Sequence, residues 1–401
     1  MEERRGFFEE VVDEELYEEP IPSIVIQGIE REVNRIVNSY NIRSLIEDRD
    51  NIRDNLLKEN ILKKIRKYTG LKPCLVAIDT GFTSPPLELT GGRLLVIIRS
   101  HVFQGCSSCG DYPVFDSVGY IRFTDRTEAI AKPLSKIYER EFIRQVLLSK
   151  KNGEIDLDLI LVDGELFPRT PPGYSSRFSR ESYIMKLYKR IVEITNEILR
   201  LALETNTALI GVIKRSYGRD IAIRLLNNKL IINDKALATY ILKPGEWIDL
   251  GLYIDLIYYI KRFLNKYEGI LSPREWKALN ERLSWITSVI RESDNSSNIG
   301  IIVYKAFNPS YYMIATKIEY WTSNKYPLEK LLAYISSITG INGVPHPIDL
   351  VDSMAMVRKD LLYLIQQQLF NELYRRTGDK DLALSIAGLT NPEKISRIGM
   401  K

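Results

Sequence analysis

The stretch "LILVDGEL" at residues 159–166 decides the fold. Apolar residues of the kind that fill a central strand end on an acid, Asp163, which is followed at once by Gly164 and Glu165. An unpaired carboxylate at the end of a buried strand loses its hydration and costs roughly 3 kcal/mol or more unless a cation meets it. Asp163 therefore either has a cationic partner or shares a site with other acids.

The segments on either side of this one have the patterns of further strands of the same sheet. "CLVAIDTGF" (74–82) is a buried strand, and "LELTGGRLLVIIRSHVF" (87–103) is a hairpin that turns at Gly91-Gly92. Helical periods cover 126–150 and 179–204, and later strands are "ALIGVIK" (208–214), "IGIIVYKAF" (299–307) and "YYMIATKIEYW" (311–321). Hairpins first, then strands alternating with helices, predict an α/β domain with a mixed sheet flanked by helices.

The pattern also predicts how the chain is divided. Residues 1–70 form a charged helical layer beside the core, and residues 71–250 form the first part of the core. Residues 251–298 form a helical insertion that closes with the polar stretch "RESDNSSN". Residues 299–401 form the second part of the core with C-terminal helices.

Composition is that of an ordinary globular protein. The chain has 401 residues, of which 45% are hydrophobic, and its net charge of +4 is too small to identify a nucleic-acid partner by itself. No run reaches the roughly 18 uncharged residues that a membrane span needs, and the acidic N-terminus has no signal-peptide core. We expect a cytoplasmic protein with no membrane partner.

The three cysteines leave two interpretations open. Cys106 and Cys109 in "GCSSCG" have the spacing of half a zinc site, which Cys74 and His101 could complete. The simpler interpretation is a glycine-flanked turn between strands.

Four acids are candidates for a shared site. Asp79 and Asp163 each end a strand, where α/β sheets present their sites. In the helix over 126–150, Glu141 is predicted to face inward because Ile137 and Tyr138 lie one turn before it, and Glu139 is the less favoured alternative. Asp352 interrupts an apolar stripe of a late helix.

Each acid alone could cap a turn or pair with a buried arginine. Several unpaired carboxylates together would cost on the order of the whole folding margin of about 5–15 kcal/mol. If they converge they need metal ions, and Mn²⁺ or Mg²⁺ prefers oxygen ligands. Two such ions can activate water and stabilise the leaving oxygen in phosphodiester cleavage.

The motifs that carry these acids resemble the NurA nuclease family over residues 71–250 and 300–375. "AIDTG" is similar to its first Asp motif, the helix with Glu141 to its Glu helix, and "LVDGELF" to its "LDGSL" motif. "GVIKRS" and "LKPGEW" resemble its "GVSK" and "L-x-PGE" elements. "GVPHPIDLVD" resembles its late "GYPxPLxxAH" motif, but the family's Tyr and His fall on Val344 and Asp352.

The resemblance implies a ribonuclease H-like fold and a DNA nuclease that uses Mn²⁺ or Mg²⁺. It implies single-strand endonuclease and 5′-to-3′ exonuclease activity in DNA end resection, as a homodimer with a HerA-type hexameric helicase. The expected metal ligands are Asp79, Glu141, Asp163 and Asp352. Lys214 is expected near the scissile phosphate, and His346 is a candidate proton-transfer group.

The segment after Asp163 has the ingredients of single-strand binding, because cations can follow phosphates while aromatic rings stack on bases. The alternative is a solvated helix whose aromatic residues face the core. The candidate DNA-contacting residues are Arg169, Tyr174, Arg177, Phe178, Arg180, Lys214 and Arg215.

Two other functions are compatible with the pattern. A catalytically weakened DNA-binding subunit would explain the changes at Val344 and Asp352. An ATPase of the actin and sugar-kinase type also places Asp-Gly turns around phosphate, but no later Gly-rich adenosine loop follows a strand, and Glu165 stands where phosphate needs bare backbone.

Overall fold

A computed structural model describes residues 23–39, 42–67, 70, 72–124, 128–169, 183–216, 218–307 and 313–390. The chain forms two compact units, Met1–Asp50 and Asn51–Lys401. In the first unit, α1 spans Ser23–Ser39 and α2 spans Ile42–Glu47. Helix α3, Arg49–Lys58, begins at the boundary, and the rest of the fold belongs to the second unit.

The second unit is built on a ten-stranded mixed sheet. Its order is β1-β8-β9-β10-β7-β6-β2-β4-β3, with β5 paired to β4. Among the strands that the structure describes, only the β2–β6 and β6–β7 pairs are parallel, and these three strands lie side by side. The strands are β1 Leu62–Lys64, β2 Leu75–Phe82, β3 Leu87–Leu89, β4 Gly92–Gln104, β5 Phe115–Thr124, β6 Leu159–Asp163, β7 Ala208–Ile213, β8 Glu246–Leu252, β9 Gly300–Lys305 and β10 Thr316–Trp321.

Helices flank this sheet, so the predicted mixed α/β class is confirmed. Helices α10 and α11 pack through Ile335, Ile348 and Val351 on the apolar face that includes Ala77 and Leu161. Helices α4 and α5 pack against each other, and α8 and α9 lie between β8 and β9 in the chain. The helices are α4 Glu128–Lys151, α5 Tyr183–Glu204, α6 Asp220–Arg224, α7 Asp234–Ile241, α8 Tyr253–Lys266, α9 Pro273–Glu292, α10 Leu328–Ser337, α11 His346–Ala355, α12 Lys359–Thr377 and α13 Lys380–Ala387.

The helical prediction for residues 1–70 is wrong at its end. Helix α3 stops at Lys58, and Asn60 adopts a left-handed conformation with φ of 55° that ends helical hydrogen bonding. The chain then forms β1, in which Leu62 pairs with Ile248 of β8. Burial of Leu62 in the sheet outweighs the local helical spacing.

The cysteines do not form a zinc site. Cys74 and Cys106 are joined in a disulfide, and Cys109 is a half-buried free thiol. His101 is buried, and its Nε2 donates to the carbonyl of Pro113 at 3.1 Å. Positive φ angles at Gly105 and Gly110 agree with the alternative of a glycine-flanked turn.

Strand β2 and helix α11 approach each other closely at Gly81. A Cβ added at Gly81 would lie 2.0 Å from the carbonyl oxygen of Ala355, the last residue of α11. We expect Gly81→Ala to lower the free energy of unfolding by about 1–3 kcal/mol, since strand and helix must move apart. Urea unfolding measures this change.

The matched control is Gly119→Ala in β5, where an added Cβ meets nothing within 4 Å. Its stability should stay the same or rise slightly, because alanine restricts the unfolded chain more than glycine does. Equal unfolding midpoints for the two variants would contradict the close approach at Gly81.

Candidate active site

Three aspartates meet toward the carboxyl ends of the interior parallel strands β2 and β6. Asp163 is the last residue of β6, and Asp79 lies on the neighbouring parallel strand, where Ile78 is in register with Val162. Asp352 comes from α11, which packs against β2. One carboxylate oxygen from each of the three lies within 4.8 Å of the others. The structure thus brings together three of the four acids that the sequence singled out.

Strand alternation explains why these side chains share a face. Successive side chains in a strand point to opposite faces, so Asp79 and Asp163 lie on the face of Ala77 and Leu161. That face packs against Ile348 and Val351 of α11, which precede Asp352. The glycine at position 81 lets the helix come close enough to deliver its acid.

Asp79 is the least compensated of the three. It is 8% exposed, and burial, followed by the nearby charges of Asp163 and Glu139, raises its pKa from 3.8 to about 7. Among the residues that the structure describes, no cation lies within ion-pair distance of Asp79. Its ionised form therefore needs a cation that the side chains do not provide.

Lys214 compensates the other two aspartates. Its Nζ lies 2.9 Å from Asp163 Oδ2 and 2.5 Å from Asp352 Oδ2. Burial raises the pKa of Asp163, and the hydrogen bond from Lys214 partly opposes that rise. A cluster of three carboxylates with one ammonium among them has the oxygen donors that a hard divalent cation takes. The donor set thus fits Mn²⁺ or Mg²⁺.

The prediction that Glu141 faces this cluster is wrong. Glu141 is half-buried and forms ion pairs with Arg144 at 2.8 Å and with Arg190 of α5 at 2.7 Å. The residue of α4 that faces the strand ends is Glu139, which is fully buried and accepts a hydrogen bond from Thr80 Oγ1 at 3.3 Å. Two residues apart on a helix, the two side chains point in nearly opposite directions.

Two cations hold Glu139 and the β6 turn in place, and the sequence did not single out either as functional. Lys136 Nζ donates to both Glu139 oxygens, at 3.0 and 2.9 Å, and to the Asp163 carbonyl at 3.2 Å. Arg140 donates to the carbonyls of Glu165 and Leu166. The i, i+3 spacing of Lys136 and Glu139 was the signal available, because such residues are neighbours on a helix.

Within the described part of the chain, the other site residues that the sequence suggested are not members of the aspartate cluster. His346 is exposed at the start of α11, and it is not a member of the carboxylate cluster among the described residues. Val344 is buried in the core, where it has no hydroxyl to offer. Arg215 is exposed just after β7.

The predicted DNA path is described only in part. Arg169 is exposed, and its Nε lies 3.6 Å from Glu165 Oε1. Tyr174, Arg177, Phe178 and Arg180 lie outside the described residues.

Comparison with known proteins gives a family match and a fold match. The NurA domain model matches residues 128–357. The NurA nuclease structure from Sulfolobus solfataricus has a TM-score of 0.51 at 14% identity, covering 88% of this chain and 98% of that one. A NurA structure bound to dAMP and manganese has a TM-score of 0.47 at 13% identity, covering 82% and 94%. None of the curated protein sequences matches.

No described helix has the length and apolar character needed to cross a bilayer.

Proposed function

The chain belongs to the NurA family, as its motifs predicted, and from this premise we propose that it is a divalent-metal-dependent DNA nuclease. The observation that carries the proposal is the convergence of Asp79, Asp163 and Asp352, whose oxygens lie within 4.8 Å of one another. Parallel strands and a tightly packed helix build this cluster. Burial and like charge make the ionised form of Asp79 unfavourable without a cation, because among the described residues Lys214 pairs with the other two aspartates and not with Asp79.

We assign Mn²⁺, with Mg²⁺ as the alternative, to these three carboxylates, with Glu139 as the candidate fourth acid. Bound there, divalent ions would supply activation of water and stabilisation of the leaving oxygen, in a two-metal type of hydrolysis. Asp163 ends β6, whereas Asp79 lies within β2, which continues to Phe82 instead of ending at Asp79 as predicted. Both are held by paired strands, so they can keep such ligand positions with little reorganisation.

Lys214 is our candidate for contact with the scissile phosphate. Its ammonium lies between Asp163 and Asp352 and donates to both carboxylates. Burial acts to lower the pKa of Lys214, but these two hydrogen bonds outweigh it and raise the pKa, so the lysine stays charged. Lys235 donates to the Lys214 carbonyl at 2.8 Å and so fixes the backbone at this strand end. Arg215, the residue after Lys214, and Arg169, which follows Asp163 in the chain, are both exposed and are our candidates for contact with the DNA backbone.

The finer points of the proposal come from the family resemblance. We propose single-strand endonuclease and 5′-to-3′ exonuclease activity in DNA end resection. We also propose that the protein is a homodimer that works with a HerA-type hexameric helicase.

Removal of divalent metal is expected to stop cleavage. Labelled nucleotides should be released from single-stranded DNA and from 5′-ended duplex with Mn²⁺ or Mg²⁺, and release should fall to background in EDTA, because the carboxylates alone cannot activate water. Adding Mn²⁺ back should restore the rate. Release that persists at full rate in EDTA would contradict a metal-dependent site.

One observation favours the alternative of a weakened, DNA-binding subunit. Where the family's late motif has Tyr and His, this chain has a buried valine, Val344, and an acid, Asp352, that is paired with Lys214. A carboxylate is a good ligand for manganese, but the lost hydroxyl has no replacement at position 344. DNA binding without product at any metal concentration would support this alternative.

A further inference from the structure

We propose that a second cavity, on the opposite face of the sheet from the aspartates, binds a nucleoside monophosphate without metal. The cavity has a volume of about 450 Å³ and lies between the sheet, α6 and the helices α8 and α9. Ligand pockets in proteins are typically about 300–1,000 Å³. The cavity is thus large enough for a base, a sugar and one phosphate.

The cavity has an excess of cationic residues. Three acids line it, and the structure gives each a partner. Asp220 pairs with Arg282 and Lys317, both at 2.5 Å, and Glu275 pairs with Arg219 at 3.1 Å. The cationic residues that line it are Arg169, Arg219, Arg274, Arg282 and Lys317.

The third acid, Glu319, is satisfied by neutral donors. Its Oε2 accepts from the backbone N–H groups of Leu166 and Phe167, each at 2.7 Å, and its Oε1 accepts from the Tyr253 hydroxyl at 2.7 Å. None of these bonds uses an arginine.

Arg274 is the cationic lining residue to which the structure gives no acidic partner among the described residues. It is exposed in the first turn of α9, and among the residues that the structure describes it has no hydrogen bond or ion pair. A guanidinium binds phosphate oxygens in a bidentate way. Arg274 is therefore the residue that we assign to the phosphate.

Part of the cavity wall is apolar and aromatic. Ile223, Phe263 and Leu279 are buried there, and Trp285 also lines the cavity. The Trp285 indole donates to the Pro168 carbonyl at 3.0 Å, and its ring meets Phe167 edge-on, which holds the ring in place. A free phosphate would leave this wall unused, whereas a nucleobase would pack on it. The combination favours a nucleotide over an inorganic anion.

The strand geometry separates this cavity from the metal site. Asp163 is in register with Val212, which packs on the face of α11, and the next residue, Ile213, points to the other face and lines the cavity. Lys317, also a lining residue, is in register with Ile213. A ligand in the cavity therefore makes no contact with the carboxylate cluster, and this proposal does not depend on the nuclease assignment.

Titration calorimetry on the full chain in EDTA tests the proposal, with dAMP, inorganic phosphate and deoxyadenosine as separate probes. We expect dAMP to bind at least about tenfold more tightly than either fragment, because only dAMP can contact both Arg274 and the apolar part of the wall. Arg274→Ala should weaken dAMP binding about tenfold, the usual loss for one charge-assisted contact. Ala278→Glu, which places a negative charge at the cavity lining, should weaken it by a similar factor.

Matched controls lie on the same helix outside the cavity. Arg291→Ala removes an arginine and Asn280→Glu introduces an acid at exposed positions of α9 that do not line the cavity, so both should leave dAMP binding unchanged. Absence of dAMP binding in EDTA would overturn the proposal. So would phosphate binding as tight as that of dAMP, or equal dAMP affinities for Arg274→Ala and the wild type.

Discussion

Asp79→Asn is expected to lower metal-dependent DNA cleavage about a thousandfold or more while the protein stays folded. The substitution keeps the side chain's shape and its oxygen but removes the charge that a divalent cation needs. A loss of about 4 kcal/mol of transition-state stabilisation corresponds to about 10³ in rate. The assay is release of labelled nucleotides with Mn²⁺, and cleavage at the wild-type rate would show that Asp79 is not part of the site.

The same substitution should make the metal-free protein more stable at high pH. The pKa of Asp79 is 3.8 in the unfolded reference and about 7 in the fold, so the folded state binds its proton more tightly. Ionisation then costs native stability: the cost is absent below about pH 4 and complete above about pH 7. It is on the order of 4 kcal/mol for a group this buried. Asparagine cannot ionise and escapes this cost.

Urea unfolding in EDTA at pH 4 and pH 8 measures this difference. We expect wild type and Asp79→Asn to unfold alike at pH 4, and the variant to be the more stable at pH 8. Added Mn²⁺ should stabilise the wild type more than the variant, because binding to the folded state alone shifts unfolding by mass action. A variant less stable than wild type at pH 8 would mean that Asp79 is already compensated in the fold.

Local patterns predicted the strands that place the site. "CLVAIDTGF" and "LILVDGEL" have continuous apolar runs that end on acids, and both became parallel neighbours, β2 and β6. Strand β1 was missed because its stability comes from pairing with β8, about 180 residues later, as in Leu62 with Ile248. A pairing partner so distant leaves no periodic signal in the local sequence.

Local sequence predicted the candidate site only in part, because it indicates which acids interrupt apolar stretches but not which side of α4 faces the sheet. Asp79, Asp163 and Asp352 could be identified because each interrupts an apolar stretch. The choice of Glu141 failed because its neighbours Ile137 and Tyr138 are only half-buried. The inward stripe of α4 is instead centred on Glu139, followed by the buried Phe142, Ile143 and Val146. A buried carboxylate in that stripe is tolerated because Lys136 pairs with it, a contact that spacing suggests but only the fold establishes.

Glu139→Gln and Glu141→Gln are expected to separate the two acids of α4. Glu139 is fully buried, contacts Thr80, and contributes to the raised pKa of Asp79, so its charge acts on the carboxylate cluster. We expect Glu139→Gln to lower cleavage about 100-fold, the upper range for groups that support a metal site. Glu141→Gln should change the rate by less than about twofold, since the half-buried Glu141 pairs, among the described residues, with Arg144 and Arg190 and not with the aspartates.

Loss of folding must be separated from loss of catalysis, because Glu139→Gln leaves the half-buried Lys136 without its carboxylate partner, which costs up to about 3–5 kcal/mol. The double variant Lys136→Met with Glu139→Gln removes both charges and should recover most of that stability. Its cleavage should nevertheless stay low, because the charge next to Asp79 is still missing. A double variant that is stable and cleaves at the wild-type rate would limit Glu139 to a structural role. A large loss in Glu141→Gln would return the functional role to that residue.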